Sequence, residues 1–234
     1  MTIMAHAFLI KIHYIQSIIG CYLLSYGVSQ FVYGPLSDSI GRRKTIIIGL
    51  SIYICGAVLS LLSTEFMHLL VGTIIQGSGI GVGGVMCRTV LRDLYSGQKL
   101  YSANSKMSML LVLAPLAAPL LGGLCTDLFG WRSIYAFLSL FGIICLILQL
   151  IFFAETKPES LIKYSWWQLN KAVLGNRTFV TYSLLLLFAF SMVSIFEACA
   201  SLLLTNTLGY SATQTSILFT IPLPGYMLGS YISG

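Results

Sequence analysis

The sequence predicts an all-α fold, a polytopic bundle of membrane-spanning helices, and three observations predict it. Of the 234 residues, 57% are hydrophobic and only 9% are charged, whereas a soluble domain carries about 25% charged residues. The apolar residues are gathered into seven runs, near 15–36, 45–63, 68–90, 103–125, 133–153, 179–204 and 213–234. Each approaches the ~20 residues a helix needs to cross a bilayer. The cations, finally, sit almost entirely in or beside the short connections between those runs.

Counting those cations sets an orientation. Arg42, Arg43, Lys44, Arg88, Arg92, Lys99, Lys106, Lys157, Lys163, Lys171 and Arg177 fall on one side of the membrane, and only Lys11 and Arg132 on the other. The richer side is cytoplasmic, which puts the N-terminus outside and the C-terminus inside. Met1–His13 has too short an apolar stretch, and no small-residue cleavage site, to be a secretory leader. An outside N-terminus without a leader leads us to expect a missing segment in front. Topology also explains the net charge of +6 without a nucleic-acid partner. Five of the six cysteines lie inside apolar runs and Cys125 closes one, and no CxxC or Cys/His spacing occurs. No disulfide framework, metal or other cofactor is expected.

Run 15–36 carries Tyr22, Tyr26, Gln30 and Tyr33 at spacings of four, four and three, a single stripe on a helix. Facing lipid, these polar groups would lack partners. The stripe therefore faces either a neighbouring helix or a weakly polar, aromatic cavity.

The connection that follows, Gly34-Pro35-Leu36-Ser37-Asp38-Ser39-Ile40-Gly41-Arg42-Arg43-Lys44, is read as a tight turn at the membrane surface. It combines one carboxylate, two glycines and three adjacent cations. Glycine suits a turn because it tolerates positive φ. Three cations alone would be satisfied by a purely topological role.

Run 68–90 contains Gly72, Gly77, Gly79, Gly81, Gly83 and Gly84, a density that lets helix backbones approach closely in lipid. No preceding strand and no Gly-Lys-Ser/Thr supports a phosphate-binding loop. Arg88, Arg92 and Asp93 close this run. In 103–125, Pro115 and Pro119 stand beside Gly122 and Gly123. Each proline removes a backbone hydrogen bond and bends a helix, which a membrane bundle tolerates where neighbours compensate.

Between 155 and 178 the composition turns polar, with Glu155-Thr156-Lys157-Pro158-Glu159 and then Trp166-Trp167 at headgroup level. This is the expected cytoplasmic linker between a first bundle, residues 1–154, and the start of a second, residues 179–234. Glu197 lies deep in run 179–204, where a carboxylate costs on the order of 2.5–3.5 kcal/mol. It is either a structural acid hydrogen-bonded to a neighbouring helix or a group that takes up and releases protons.

The pattern G-x-L-x-D-x-x-G-R-R, through Gly34, Leu36, Asp38, Gly41, Arg42 and Arg43, resembles the signature between the second and third helices of the major facilitator superfamily. Pro119, Gly122 and Gly123 are similar to that superfamily's antiporter motif, although Ala114 and Ala118 replace its first two glycines. Further similarity lies in Tyr22–Gln30, Gln76–Met86, Arg92–Tyr95 and Phe196–Cys199. It points to the drug:proton antiporter branch and runs from about residue 14 to the end.

The resemblance implies a twelve-helix fold of which about seven helices are present, lacking the first and the last four. It also implies a transporter in the bacterial inner membrane, not an enzyme, which exchanges protons for hydrophobic or cationic drugs by alternating access. In that reading Gly34, Asp38, Gly41, Arg42 and Arg43 form the gating motif and Glu197 couples protons. Tyr22, Tyr26, Gln30, Tyr33 and Gln76 line the cavity. Thr73 stands where the superfamily usually has arginine, which sets that position's proton role aside. Lacking those helices, the chain as given is expected not to pump on its own. The residues leave two other readings open, a seven-helix receptor and a nutrient or metabolite facilitator.

Overall fold

The computed structural model describes residues 8–158, 171, 174–203, 208, 218, 225 and 229, with some side chains inside the helices left out. Six long helices follow one another: α1 Ile12–Ile40, α2 Arg42–Leu61, α3 Phe66–Leu94, α4 Gly97–Phe129, α5 Arg132–Phe152 and α6 Arg177–Leu202. They match the first six expected runs: α1, α3 and α4 run past theirs at both ends, whereas α2, α5 and α6 are shifted one to three residues earlier. Helices α2, α3 and α5 are long and apolar enough to span a membrane. The seventh run, 213–234, lies outside the described residues apart from isolated positions.

The chain separates into two compact units. The first holds α1, α2, α3, α5 and the two ends of α4. The second holds residues 105–119 of α4 and everything from 162 onwards.

Inside the first unit α3 is the central helix, packed against α2 on one side and α1 on the other, and α5 packs along α2. The glycines of α3 explain this. A Cβ at Gly72 would lie 2.8 Å from the Ser60 backbone nitrogen and 3.0 Å from the Gly56 carbonyl. A Cβ at Gly56 would in turn lie 2.6 Å from the Gly72 carbonyl, and one at Gly79 would meet the backbone of Tyr53 and Gly49. The Gly56–Gly72 and Gly49–Gly79 contacts sit two turns apart along an antiparallel pair, so α2 and α3 touch backbone to backbone. On the opposite face, Gly77 admits the Ser25 hydroxyl and the Tyr22 carbonyl, Gly81 admits Ser29, and Gly84 meets Tyr26 Oη. Without a hydrophobic driving force between helices in lipid, such close van der Waals packing holds the bundle together. Gly83 has open space around it and takes no part.

Several polar side chains buried in the bundle bond to carbonyls of the preceding turn, while the Ser60 hydroxyl has no such partner among the described residues. Thr45 donates to the Gly41 carbonyl, Thr73 to Leu69 and Ser139 to Tyr135, each at 2.7 Å. Ser25 and Ser29 donate to the carbonyls of Tyr22 and Tyr26 at 2.9 Å. The outer face of α5 leaves Phe137, Leu140, Phe141, Ile147 and Ile151 exposed, which suits a lipid-facing surface.

At one end of the unit, Ile15, Ile18, Leu69, Trp131 and Tyr135 form an apolar cluster. Arg132 Nη2 closes that end by donating to the Ser63 carbonyl at 2.9 Å. The opposite end carries the turn between α1 and α2.

That turn is shorter than expected. The sequence reads as a tight turn over Gly34–Lys44, but α1 continues through Pro35 to Ile40 and α2 begins at Arg42, leaving Gly41 alone between them. Proline removes one hydrogen bond of the helix ladder but leaves the following residues free to stay helical. Here Ser37 donates to Gly34 and Ser39 to Leu36, both at 2.7 Å, and the carbonyl of Ser37 accepts the Gly41 N–H at 3.1 Å. Gly34 has no close neighbour where a Cβ would stand, so its place in the motif is not explained by packing inside this unit.

In the second unit α6 starts at a side-chain cap. Asn176 Oδ1 accepts the N–H groups of Thr178 at 3.0 Å and Phe179 at 3.2 Å, satisfying two of the donors a helix start leaves open.

Candidate functional site

Gly41 has φ +103° and ψ 160°, a left-handed region that L side chains rarely adopt, and a Cβ there would collide with the Glu155 carboxylate. The chain therefore reverses on a single residue and delivers Arg42 at the first position of α2. The Arg42 side chain is only 3% exposed. Its Nε donates to Asp93 Oδ2 at 2.8 Å, and its Nη1 donates to Ser37 Oγ at 3.0 Å and to Asp38 Oδ1. One guanidinium thus links the ends of α1 and α3 to the start of α2. The fork geometry of arginine suits it to such convergent acceptors.

The two carboxylates are not equivalent. Asp38 is 48% exposed and Asp93 is 11% exposed. The exposed pair contributes about 0–1 kcal/mol, so the anchor of Arg42 is Asp93.

Glu155, just past the end of α5, completes the site. Its Oε1 accepts the N–H groups of Arg42 at 2.8 Å, Lys157 at 3.0 Å and Thr156 at 3.1 Å, and its Oε2 accepts that of Arg43 at 3.2 Å. Burial pushes the Glu155 carboxyl up, but the hydrogen bonds from Arg42, Lys157, Arg43 and Thr156 together outweigh it and hold the group below the ordinary carboxylate range. Arg43 Nη2 donates to the Leu150 carbonyl at 2.7 Å, and Lys157 Nζ donates to the Ser39 carbonyl at 2.9 Å. The start of the polar connection is thereby tied to the α1–α2 turn.

Of the motif residues, Asp38, Gly41, Arg42 and Arg43 come together here and Gly34 lies about one turn before Asp38 on α1. Sequence reasoning did not assign Ser37, Asp93 or Glu155 to the site. The chain has only seven acidic residues, and Asp93 and Glu155 each stand beside cations at the end of an apolar run. That was the available signal.

The tyrosine stripe faces protein, and its members part company. Tyr22 and Gln76 line a cavity of about 240 Å³ together with Ile18, Ile19, Tyr53, Thr73, Ile134, Tyr135 and Leu138. Tyr26 and Gln30 lie further along the α1–α3 seam beside Gly84, and Tyr33 is buried with Val82 and Met86. Thr73 and Gln76 are almost fully buried, so the cavity pairs apolar walls with a few polar groups, the usual make-up of a small-molecule pocket.

Gly122 lies in α4, where its carbonyl accepts Thr126 Oγ1 at 2.6 Å. The side chain of Pro119 and the surroundings of Gly123 lie outside the described residues. Glu197 falls within α6, and its side chain likewise lies outside them.

Comparison with known proteins assigns the chain to a family. The Major Facilitator Superfamily model matches residues 1–234. Multidrug resistance protein D of Escherichia coli K12 is 38% identical over 220 residues, covering 94% of this chain and 56% of that protein. The uncharacterized MFS-type transporter YdgK of Bacillus subtilis is 28% identical, covering 93% and 56%. Multidrug resistance protein MdtL of an Escherichia coli O139:H28 strain is 25% identical, covering 86% and 51%. The chain thus spans about half the length of the curated relatives it matches. With its apolar helices and its glycine-turned ion-pair centre, this multi-pass membrane protein belongs to the major facilitator superfamily.

Proposed function

We propose that this chain contributes to proton-coupled efflux of hydrophobic or cationic drugs by alternating access, in the inner membrane of a bacterium. The observation that carries the reading is the Asp38–Arg42–Asp93 centre, which joins three helix ends at a one-residue turn. Such a centre ties the ends of α1 and α3 to the start of α2, so that the first bundle can move as one body. Alternating access requires rigid bundles that rock about a midplane site. The 38% identity to a multidrug resistance protein supports drugs as the cargo class.

In this reading Gly34, Asp38, Gly41, Arg42 and Arg43 gate, with the Arg43 turn facing the cytoplasm. Glu197 exchanges protons, because a membrane-embedded acid is costly unless it has such work or a partner. Tyr22 and Gln76 offer an aromatic, weakly polar wall large enough for a ring-sized group, and Tyr26, Gln30 and Tyr33 hold α1 to α3 behind it. Pro119, Gly122 and Gly123 form the antiporter motif, and residues 155–178 form the linker between the two bundles.

The test is a chimaera in which the matched segment of Escherichia coli multidrug resistance protein D is exchanged for this chain. In cells lacking their own efflux pumps it should lower accumulation of a lipophilic cationic dye, and a protonophore should abolish the difference. Accumulation equal to that of empty cells, with the chimaera present in the membrane, would reject the reading.

A further inference from the structure

We propose that Glu155 is a positioning residue for the ion-pair centre: by accepting the backbone N–H groups of Arg42 and Arg43, it holds the Gly41 turn in the one register that sends the Arg42 guanidinium between Asp38 and Asp93. The proposal rests on the gating role argued above and adds a residue 113 positions away from Arg42 to it.

The α2 N-terminus has no cap of its own, because its N-cap residue is Gly41, which has no side chain. Helix starts leave N–H groups open, and there the partial positive charge favours an anion. Three cations follow in succession, Arg42, Arg43 and Lys44, and their mutual repulsion makes the start of α2 costly to order without a carboxylate. Glu155 supplies it with both oxygens: Oε1 takes Arg42 and Oε2 takes Arg43.

The same carboxylate shapes the turn sterically. It fills the space where a Cβ at residue 41 would stand, so the left-handed conformation of Gly41 and the seat of Glu155 are complementary. Two outer ties fix where Glu155 itself sits. Arg43 Nη2 reaches back to the Leu150 carbonyl on α5, and Lys157 Nζ reaches across to the Ser39 carbonyl on α1. Arg42 departs from the backbone that Glu155 holds. Its guanidinium must then satisfy Ser37, Asp38 and Asp93 at once, which a turn free to rotate would not allow.

The latch also lies at the beginning of the polar connection, since Thr156 and Lys157 donate their own N–H groups to the same carboxylate.

The full chain in lipid-containing micelles, with labelled arginine, tests the idea through the Arg42 Nε–H resonance. Its exchange with water is slowed by the bond to Asp93. Glu155→Gln, which keeps the size and one acceptor oxygen, should speed that exchange at least tenfold, and Asn176→Ala, a cap removed elsewhere, should leave it unchanged. An unchanged Arg42 Nε–H rate in Glu155→Gln overturns the proposal. A double-mutant cycle gives a second reading if Glu155→Gln folds poorly. The effect of Arg42→Met on the unfolding constant should be at least fivefold smaller in a Glu155→Asp background than in the wild type. Effects that simply multiply would reduce Glu155 to an independent helix cap. Neither arm uses transport, so a chimaera that fails to export dye rejects the efflux reading and leaves this one standing, and the reverse holds equally.

Discussion

Removing the Arg42 guanidinium separates the two carboxylates by cost. Arg42 is 3% exposed, Asp93 11% and Asp38 48%. Breaking a buried pair by deleting one partner costs about 3–5 kcal/mol, because the other charge is left without compensation. An exposed pair contributes about 0–1 kcal/mol. Arg42→Met should therefore destabilise the first unit by roughly 3 kcal/mol or more through the stranding of Asp93. Asp38→Asn should cost less than about 1 kcal/mol. Combining Arg42→Met with Asp93→Leu removes both buried charges and should recover most of the loss, since apolar replacement of a whole pair is often neutral. The assay is detergent-induced unfolding in mixed micelles, followed by the fluorescence of Trp131, which is 6% exposed at the far end of the unit. Trp166→Phe and Trp167→Phe would remove the other two signals. Equal costs for Asp38→Asn and Asp93→Asn, or a double variant no better than Arg42→Met, would refute the assignment of Asp93 as the anchor.

Further outcomes follow from the same structure. Gly56→Val should push α2 from α3 and cost at least the 1–3 kcal/mol typical of overpacking (about that range), whereas Gly83→Ala should be close to neutral because nothing lies near it; thermal unfolding of the two variants compares them directly. The Glu155 carboxyl is held below its ordinary value, so its contribution to stability is complete above the unfolded carboxylate range near about 4.3. It is lost as pH falls through the lower folded value. Acid unfolding profiles should show that acid-side drop in the wild type and a shallower one in Glu155→Gln. Asn176→Ala should loosen the start of α6 by about 1 kcal/mol, seen as faster amide exchange at Thr178 and Phe179. A membrane-impermeant thiol reagent should reach Lys44→Cys from the cytoplasmic side and Glu65→Cys from the outside; the reverse would invert the topology.

How far the fold was legible depended on which signal was local. Hydrophobic run length located α1 to α6 within a few residues. The four-four-three spacing of Tyr22, Tyr26, Gln30 and Tyr33 correctly turned one face of α1 towards protein. The division of that stripe was not legible, because only the pairing of Gly84 with Tyr26 and of Val82 with Tyr33 decides which member meets the cavity. The glycines of α3 announced close packing, but their split into Gly72 and Gly79 towards α2 and Gly77, Gly81 and Gly84 towards α1 depends on which helices flank α3. Pro35 and the glycines suggested a longer turn than the single residue Gly41, since local breakers are overridden when the serines after them cap carbonyls within the helix. The motif named Asp38 and Arg42. Asp93 and Glu155 join them only across 51 and 113 residues of chain, and helical periodicity carries no information over such distances.

The central proposal, that this chain contributes to drug–proton exchange, is tested most directly in liposomes holding the chimaera with Escherichia coli multidrug resistance protein D and no imposed gradient. Adding a lipophilic cationic drug on one side should drive protons the opposite way, read by a pH dye trapped in the lumen. Glu197→Gln should abolish that flux while leaving drug binding intact, because the amide keeps the shape and cannot titrate. Drug uptake with no counter-flow of protons, or an unaltered flux in Glu197→Gln, would contradict the account.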